Sequence, residues 1–184
     1  MNEKCKMASG EFYNPLDESL VKDRLKAKKL CYLYNNLPPE SDAKRKEILM
    51  SLLAKMGDSI LIEPSFYCDY GYNIEIGENF YSNHNLVILD SAPVKFGCNV
   101  FIGPNCGFYT AEHPIDASVR NQGIEYAKSI TVGDNVWFGG NVTVLGNVNI
   151  GDNVVIGAGS VVVKDIPPNI LAVGNPCIPI KNIT

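Results

Sequence analysis

Counting in sixes from Val132 meets an apolar residue at every step: Val132, Phe138, Val144, Ile150, Ile156 and Val162. The place four residues further on repeats almost as strictly, through Val136, Val142, Val148, Val154, Ser160 and Ile166, and glycine fills the second place at Gly133, Gly139, Gly151 and Gly157. The tripeptide Gly-Asp-Asn recurs at 133–135 and 151–153. Neither an α-helix nor a long strand has a period of six. Short strands that each send an aliphatic side chain inward do, if the corners between them hold residues that tolerate positive φ, such as Gly, Asn and Asp. Three such sides close a triangular coil of eighteen residues, and coils stack at roughly 4.8 Å. The sequence therefore predicts an all-β solenoid, a parallel β-helix. Each buried Val or Ile contributes about 1.5–3 kcal/mol gross. Period alone does not fix the hand of winding.

The same count runs backward. Ile76, Ser82 and Ile88 open one coil, two residues then slip, and Phe96, Ile102 and Phe108 open another that ends at His113. The slip is read as a bulge at a corner. Residues 114–131 span another eighteen, but their inward places hold Pro114, Arg120 and Tyr126, so the stretch is an excursion rather than a coil. Long loops on rigid solenoids are usually functional. Upstream, Leu20, Ala27, Cys31 and Tyr34 mark an amphipathic helix opened near Asp17 and ended by Pro38-Pro39. Its basic run, Lys22, Arg24, Lys26, Lys28 and Lys29, reads as a solvated face. A second helix starts at Ser41, buries Ile48, Leu49, Leu52, Leu53 and Met56, and stops at Gly57. The chain divides into an N-terminal helical segment, 1–58, packed with the same domain, and a β-helix over 59–184 with its excursion at 114–131.

The 184 residues, 46% hydrophobic, suffice for one continuous core. With 16 basic and 20 acidic residues the net charge is −4, which argues against a nucleic-acid binder. No stretch has the apolar length of a signal peptide or a membrane span, so a soluble, cytoplasmic protein is expected. Six cysteines without a Cys-x-x-Cys pair argue against a zinc ribbon or redox motif. Only two histidines, His84 and His113, are present, 29 positions apart, so a three-histidine metal site is excluded and no metal is expected. Four threonines are too few for the threonine ranks of an ice-binding solenoid.

His113 closes a coil where the excursion departs. An imidazole is suited to take a proton from an alcohol attacking a carbonyl, although position alone equally describes an exposed loop histidine. Asn83 falls at the eighth place of its coil and His113 at the eighteenth of the next, so within one chain they occupy different sides. If Asn83 donates to an oxyanion beside His113, a neighbouring chain must supply it; as a polar corner residue it needs no such role. Cys106 and Cys68 fall at inward places and read as small core residues, which favours direct transfer over a covalent intermediate. Lys164 lies two coils above the His113 side, roughly 10 Å along the axis. With Lys181 it is a candidate to meet phosphates.

Several motifs resemble the maltose and galactoside O-acetyltransferase family of hexapeptide-repeat acyltransferases. They are Tyr67-Cys-Asp-Tyr-Gly-Tyr-Asn73, Thr110-Ala-Glu-His-Pro-Ile-Asp116, Asn135-Val-Trp-Phe-Gly-Gly140, Val155-Ile-Gly-Ala-Gly-Ser160, Lys164-Asp-Ile-Pro-Pro168 and, at the front, Gly10-Glu-Phe-Tyr13 with Asp17. The likeness runs over about residues 5 to 181. It implies a left-handed winding, acetyl-CoA as co-substrate, a sugar hydroxyl as acceptor, and a homotrimer with active sites between subunits. By the same resemblance His113 is the catalytic base and Asn83 steadies the transition state. Asp17, Asp69, Tyr81 and Glu125 surround the acceptor; Gly140, Ala158, Val163, Lys164 and Lys181 contact CoA, with Trp137 beside that groove. Asp69 stands where the galactoside type has a serine, and Ser91 where it has an aspartate, which puts the chain nearer the maltose type. Ile178 replaces a basic residue that the galactoside type uses on CoA. An acetyltransferase for another acceptor, such as a xenobiotic, serine or a polysaccharide sugar, and a non-catalytic trimeric scaffold are the alternatives; the retained His113 speaks against the scaffold.

Overall fold

The computed structural model describes residues 2–183. They form a left-handed parallel β-helix with three flat faces, preceded by a short helical segment. One face holds five strands, from Lys55–Met56 through Ile74–Ile76, Val94–Phe96 and Ile130–Val132 to Val148–Ile150. A second face holds seven, from Ile60–Ile62 through Phe80–Ser82, Phe101–Ile102, Trp137–Phe138 and Val155–Ile156 to Ile170–Val173, with Ile178–Asn182 added antiparallel. The third carries Phe66–Cys68, Leu86–Leu89, Gly107–Tyr109, Thr143–Leu145 and Val161–Val162. All the six-step positions from Val132 to Val162 and from Val136 to Ile166 are buried, Ser160 included. Phe80, Phe96, Phe108 and Phe138 stack edge to face inside the prism, 4.9–5.3 Å between centroids.

The outward residues of the three faces differ in kind. On the first face Lys55, Glu75, Lys95, Thr131 and Asn149 lie in register, a polar row that suits solvent. On the second the row reads Leu61, Tyr81, Phe101, Trp137, Val155 and Leu171, with Phe101 41% and Trp137 56% exposed. Polar and apolar residues share the outside of the third.

The corners show a division of labour that the sequence reading merged. Nine asparagines, among them Asn79, Asn99, Asn135 and Asn153, take the positive φ. The second-place glycines serve close stacking instead: a Cβ on Gly133 would fall on the Asp152 carboxylate, and one on Gly139 would come 2.6 Å from the Ala158 amide nitrogen. In each Gly-Asp-Asn, glycine vacates space, aspartate accepts an amide of the coil below, and asparagine makes the turn. Asp134 accepts from Cys98 N and Asp152 from Asp134 N, both at 2.7 Å, while Asn79, Asn99 and Asn135 link side chain to side chain at 2.8 and 3.0 Å.

The slip is located. Residues 76 and 96, 82 and 102, and 88 and 108 pair twenty apart, whereas 132 and 150 pair eighteen apart. The extra pair sits between Ile88 and Phe96, at the corner running through Asp90. The coil before it has the same extra pair, because Cys68 faces Ile88 and Met56 faces Ile76.

The front of the chain forms helices α1 (Glu3–Ser9), α2 (Glu18–Asn35) and α3 (Asp42–Leu52). Asp17 caps α2, accepting from Ser19 N, and α2 buries Leu20, Ala27, Cys31 and Tyr34 as its spacing requires. α1 carries no periodic sequence signal of its own, and two expectations are corrected. α3 ends at Leu52, so Met56 and Gly57 belong to the first coil, whose opening strand Lys55–Met56 lies inside the stretch assigned to helices. The excursion is a hairpin arm that begins at Ala111–Glu112, carries the short helix α4 (Ala117–Arg120) and returns along Tyr126–Ala127; Ile130–Val132 is already a coil strand, ahead of the expected end at 131.

Candidate active site

Two prism edges border the third face, and the site residues divide between them. On the edge leaving the third face lie the widened corners of residues 69–73 and 90–93, the hairpin arm with His113, and Val163-Lys164 after Val161–Val162. On the edge entering it lie the corners of Asn83, Gly140 and Ala158. These are stacked in one column: Asn83 N donates to Ile102 O, Gly103 N to Phe138 O and Gly139 N to Ile156 O.

The first edge opens into a cleft of about 440 Å³ lined by Pro15, Leu16, Arg24, Asp69, Tyr70, Leu89, Ser91, Ala111, His113 and Glu125. The two-residue insertions make room for it, and Asp90 holds its floor. That buried carboxylate accepts from the amides of Asp69, Tyr70, Gly71 and Asn73 at 3.0, 2.8, 2.7 and 3.4 Å. Burial still raises Asp90 to about 6. Asp69 is also raised by burial, against the pull of Arg24.

His113 Nδ1 lies 3.1 Å from Ile124 O. A carbonyl only accepts, so Nδ1 is the donor, and in the neutral ring Nε2 is the nitrogen with the lone pair. Nε2 is 3.8 Å from Glu125 Oε1, and the His113 side chain is 53% exposed. Glu125 is fixed in turn: Tyr13 OH donates to its Oε2 at 2.7 Å, and the two backbones bridge at 2.9 and 3.1 Å. Tyr13 packs with Met7, Leu20 and Tyr70, a small second core through which α1 and α2 brace the cleft. Burial, helped by Glu125, raises the Tyr13 hydroxyl so that it stays a donor. The carboxylates adjacent in sequence do not orient His113. Glu112 accepts from Tyr126 OH, and Asp116 caps α4.

The structure thus brings His113, Asp69 and Glu125 together and keeps Asn83 apart. Asn83 Oδ1 accepts from His84 N at 2.7 Å, so the amide nitrogen is not used in that contact. Tyr81 lies on the second face and Asp17 spends a carboxylate oxygen on its helix cap. Trp137 and Lys181 are on the second face, in the register Trp137, Val155, Leu171, Lys181. Arg24, read as part of a solvated face, is instead half-buried in the cleft, donating to Tyr70 OH at 2.7 Å and to Pro15 O. Helical spacing puts Arg24 on the buried face, four residues after Leu20 and three before Ala27, and the fold of residues 10–17 back over α2 gives its guanidinium partners. No group of three His, Cys, Asp or Glu suited to a metal occurs among the described residues.

Residues 6–57 match the maltose acetyltransferase hexapeptide capping motif, and residues 129–164 match the bacterial transferase hexapeptide of six repeats. A maltose O-acetyltransferase from Clostridium difficile 630 superimposes with a TM-score of 0.99 at 53% identity, over 100% of this chain and 98% of that one. This chain belongs to the maltose and galactoside O-acetyltransferase family. A galactoside acetyltransferase in complex with coenzyme A aligns at 41% identity and TM-score 0.97, over 100% and 92% of the two chains. A hexapeptide-repeat acetyltransferase from Vibrio cholerae, complexed with acetyl coenzyme A, aligns at 34% and 0.93 over the whole of both. As a member of this family the protein is an acetyltransferase with acetyl-CoA as co-substrate. No helix among the described residues is long and apolar enough to cross a membrane.

Proposed function

We propose that the protein transfers acetyl from acetyl-CoA to a hydroxyl of a sugar such as maltose or glucose, with His113 as general base. The observation that carries this reading is the imidazole fixed by the Ile124 carbonyl, with Nε2 free and turned into a cleft of carboxylates and hydroxyls. Asp69 and Glu125 are acceptors for sugar hydroxyls, and Ser91 and Arg24 supply donors across the cleft. The acceptor oxygen attacks the thioester carbonyl while Nε2 takes its proton. The oxyanion then needs a donor, the role assigned to Asn83, which lies on the other edge of the third face.

A homotrimer supplies it. In a closed ring the entering edge of one subunit meets the leaving edge of the next, which joins Asn83, Gly140 and Ala158 to the partner's half-site. The exposed row of Phe101 and Trp137 is a surface that association would bury. CoA runs along the seam, past Trp137, Gly140, Ala158 and Val163, with Lys164 and Lys181 as point charges for its phosphates. Ile178, 57% exposed, offers no charge there. Use of acetyl-CoA and six free thiols suit the cytoplasm.

Thiol release from acetyl-CoA, followed across a panel of sugars, amino acids and aromatic alcohols, tests the acceptor. Stimulation by maltose or glucose is expected. Stimulation by serine or a xenobiotic alone would overturn the sugar assignment, and the absence of release with every acceptor would favour the non-catalytic scaffold.

A further inference from the structure

Two cysteines outside the transfer chemistry lie side by side in the core. Cys31 is on α2 and Cys68 ends the strand Phe66–Cys68; their Sγ atoms are 3.9 Å apart, and the residues are 1% and 6% exposed. Cys106, by contrast, donates to the Gly139 carbonyl at 3.2 Å. We propose that Cys31 and Cys68 form a dithiol that a peroxide oxidises to an intrachain disulfide, tying α2 to the first coils of the β-helix.

The distance is the main argument. Closing 3.9 Å to a bond of about 2.05 Å requires the sulfurs to approach by roughly 2 Å, within reach of side-chain rotation at two unbranched residues. The chemistry is matched between the two sulfurs. The Cys68 thiol donates to Cys31, which lowers Cys31, and the same contact together with burial raises Cys68. Cys31 is therefore the sulfur that attacks first. Its thiolate displaces hydroxide from hydrogen peroxide and becomes a sulfenic acid, and the hydroxide takes up a proton to leave as water. Cys68 sulfur then attacks the sulfenic sulfur, and a second water leaves. Two thiols and one peroxide give one disulfide and two waters, so two electrons pass from sulfur to oxygen.

The link has a mechanical consequence. Cys68 immediately precedes Asp69, and Cys31 lies two helical turns after Arg24 on the same face of α2. A bond between them fixes those two cleft walls to each other and closes a loop of 36 intervening residues, from 32 to 67. Such a loop removes enough unfolded-state freedom to raise the melting temperature by roughly 5 °C or more.

Reduced full-length protein is treated with hydrogen peroxide at a few equivalents, alkylated in denaturant and mapped by mass spectrometry. The expected product is a linked peptide pair joining Cys31 to Cys68, with Cys106 and Cys177 still alkylated, a higher melting temperature, and return to the starting value with dithiothreitol. Full alkylation of both cysteines after treatment, or their oxidation to sulfinic acids without a link, overturns the proposal. Cys31→Ser is the control: its melting temperature should not rise with peroxide. Because the linked peptide is sought in the unaltered protein, a poorly folding variant leaves the result intact.

Discussion

Two groups in the cleft owe their properties to backbone they do not resemble in sequence. The Ile124 carbonyl, eleven residues from His113, selects the imidazole tautomer, and four backbone amides of residues 69–73 converge on Asp90. In the proposed role of general base, replacing His113 by Ala should lower kcat by about 10²–10⁴, and because the side chain is more than half exposed the fold should stay intact; steady-state rates and a melting curve check both halves. Asp90 makes a pH prediction. Its folded value of about 6 exceeds the reference of 3.8, so between roughly pH 4 and 6 the folded protein holds the proton more firmly than the unfolded chain. The stability owed to this group is therefore greatest at low pH and falls as pH rises through that window, by up to about 3 kcal/mol. Thermal melts of the wild type relative to Asp90→Asn should show the difference shrinking from pH 4 to pH 7; parallel curves would contradict the assignment. At this scale the sequence was only partly legible. His113 stood out through scarcity and its place beside the excursion, whereas its orienting carbonyl carries no residue-type signal, and Arg24, although on the buried face by its spacing, was masked by the basic run around it.

The coil corner is the repeating element of the fold. Its three residues act at three different levels: glycine by absence of a Cβ, aspartate by capping the coil below, asparagine by its positive φ and its ladder to the next asparagine. A side chain at Gly139 would collide with the Ala158 backbone, which cannot swing aside. Gly139→Val should cost about 1–3 kcal/mol, seen as a fall of several degrees in melting temperature, even though the position is on the surface side of the corner. A neutral effect would mean that the corners slide more freely than their hydrogen bonds allow. The aliphatic column from Val132 to Val162 was fully readable because burial dictates residue type there. α1 was not, because seven residues with only Met7 buried leave no periodicity to count. The hairpin arm was seen as an interruption, but its pairing of Ala111 with Ala127 is set by contacts the six-residue count does not reach.

For the whole molecule, the unlike faces matter most. There is a polar face, an aromatic face and two edges that each hold part of the candidate machinery; the proposed trimer would set the leaving edge of one subunit against the entering edge of the next. The difference in composition between Lys55, Glu75 and Lys95 on one face and Phe101 and Trp137 on another was present in the sequence. It could not be assigned to faces until the twenty-residue coils were distinguished from the eighteen-residue ones. The most direct measurement is subunit complementation. His113→Ala and Asn83→Ala chains, each inactive alone, are unfolded together in equal amounts and refolded into mixed assemblies. With sites shared between neighbours, about a quarter of all seams join an intact His113 to an intact Asn83, and about a quarter of wild-type turnover returns. No recovery, in mixtures shown to contain both chains in one trimer, would contradict the shared site.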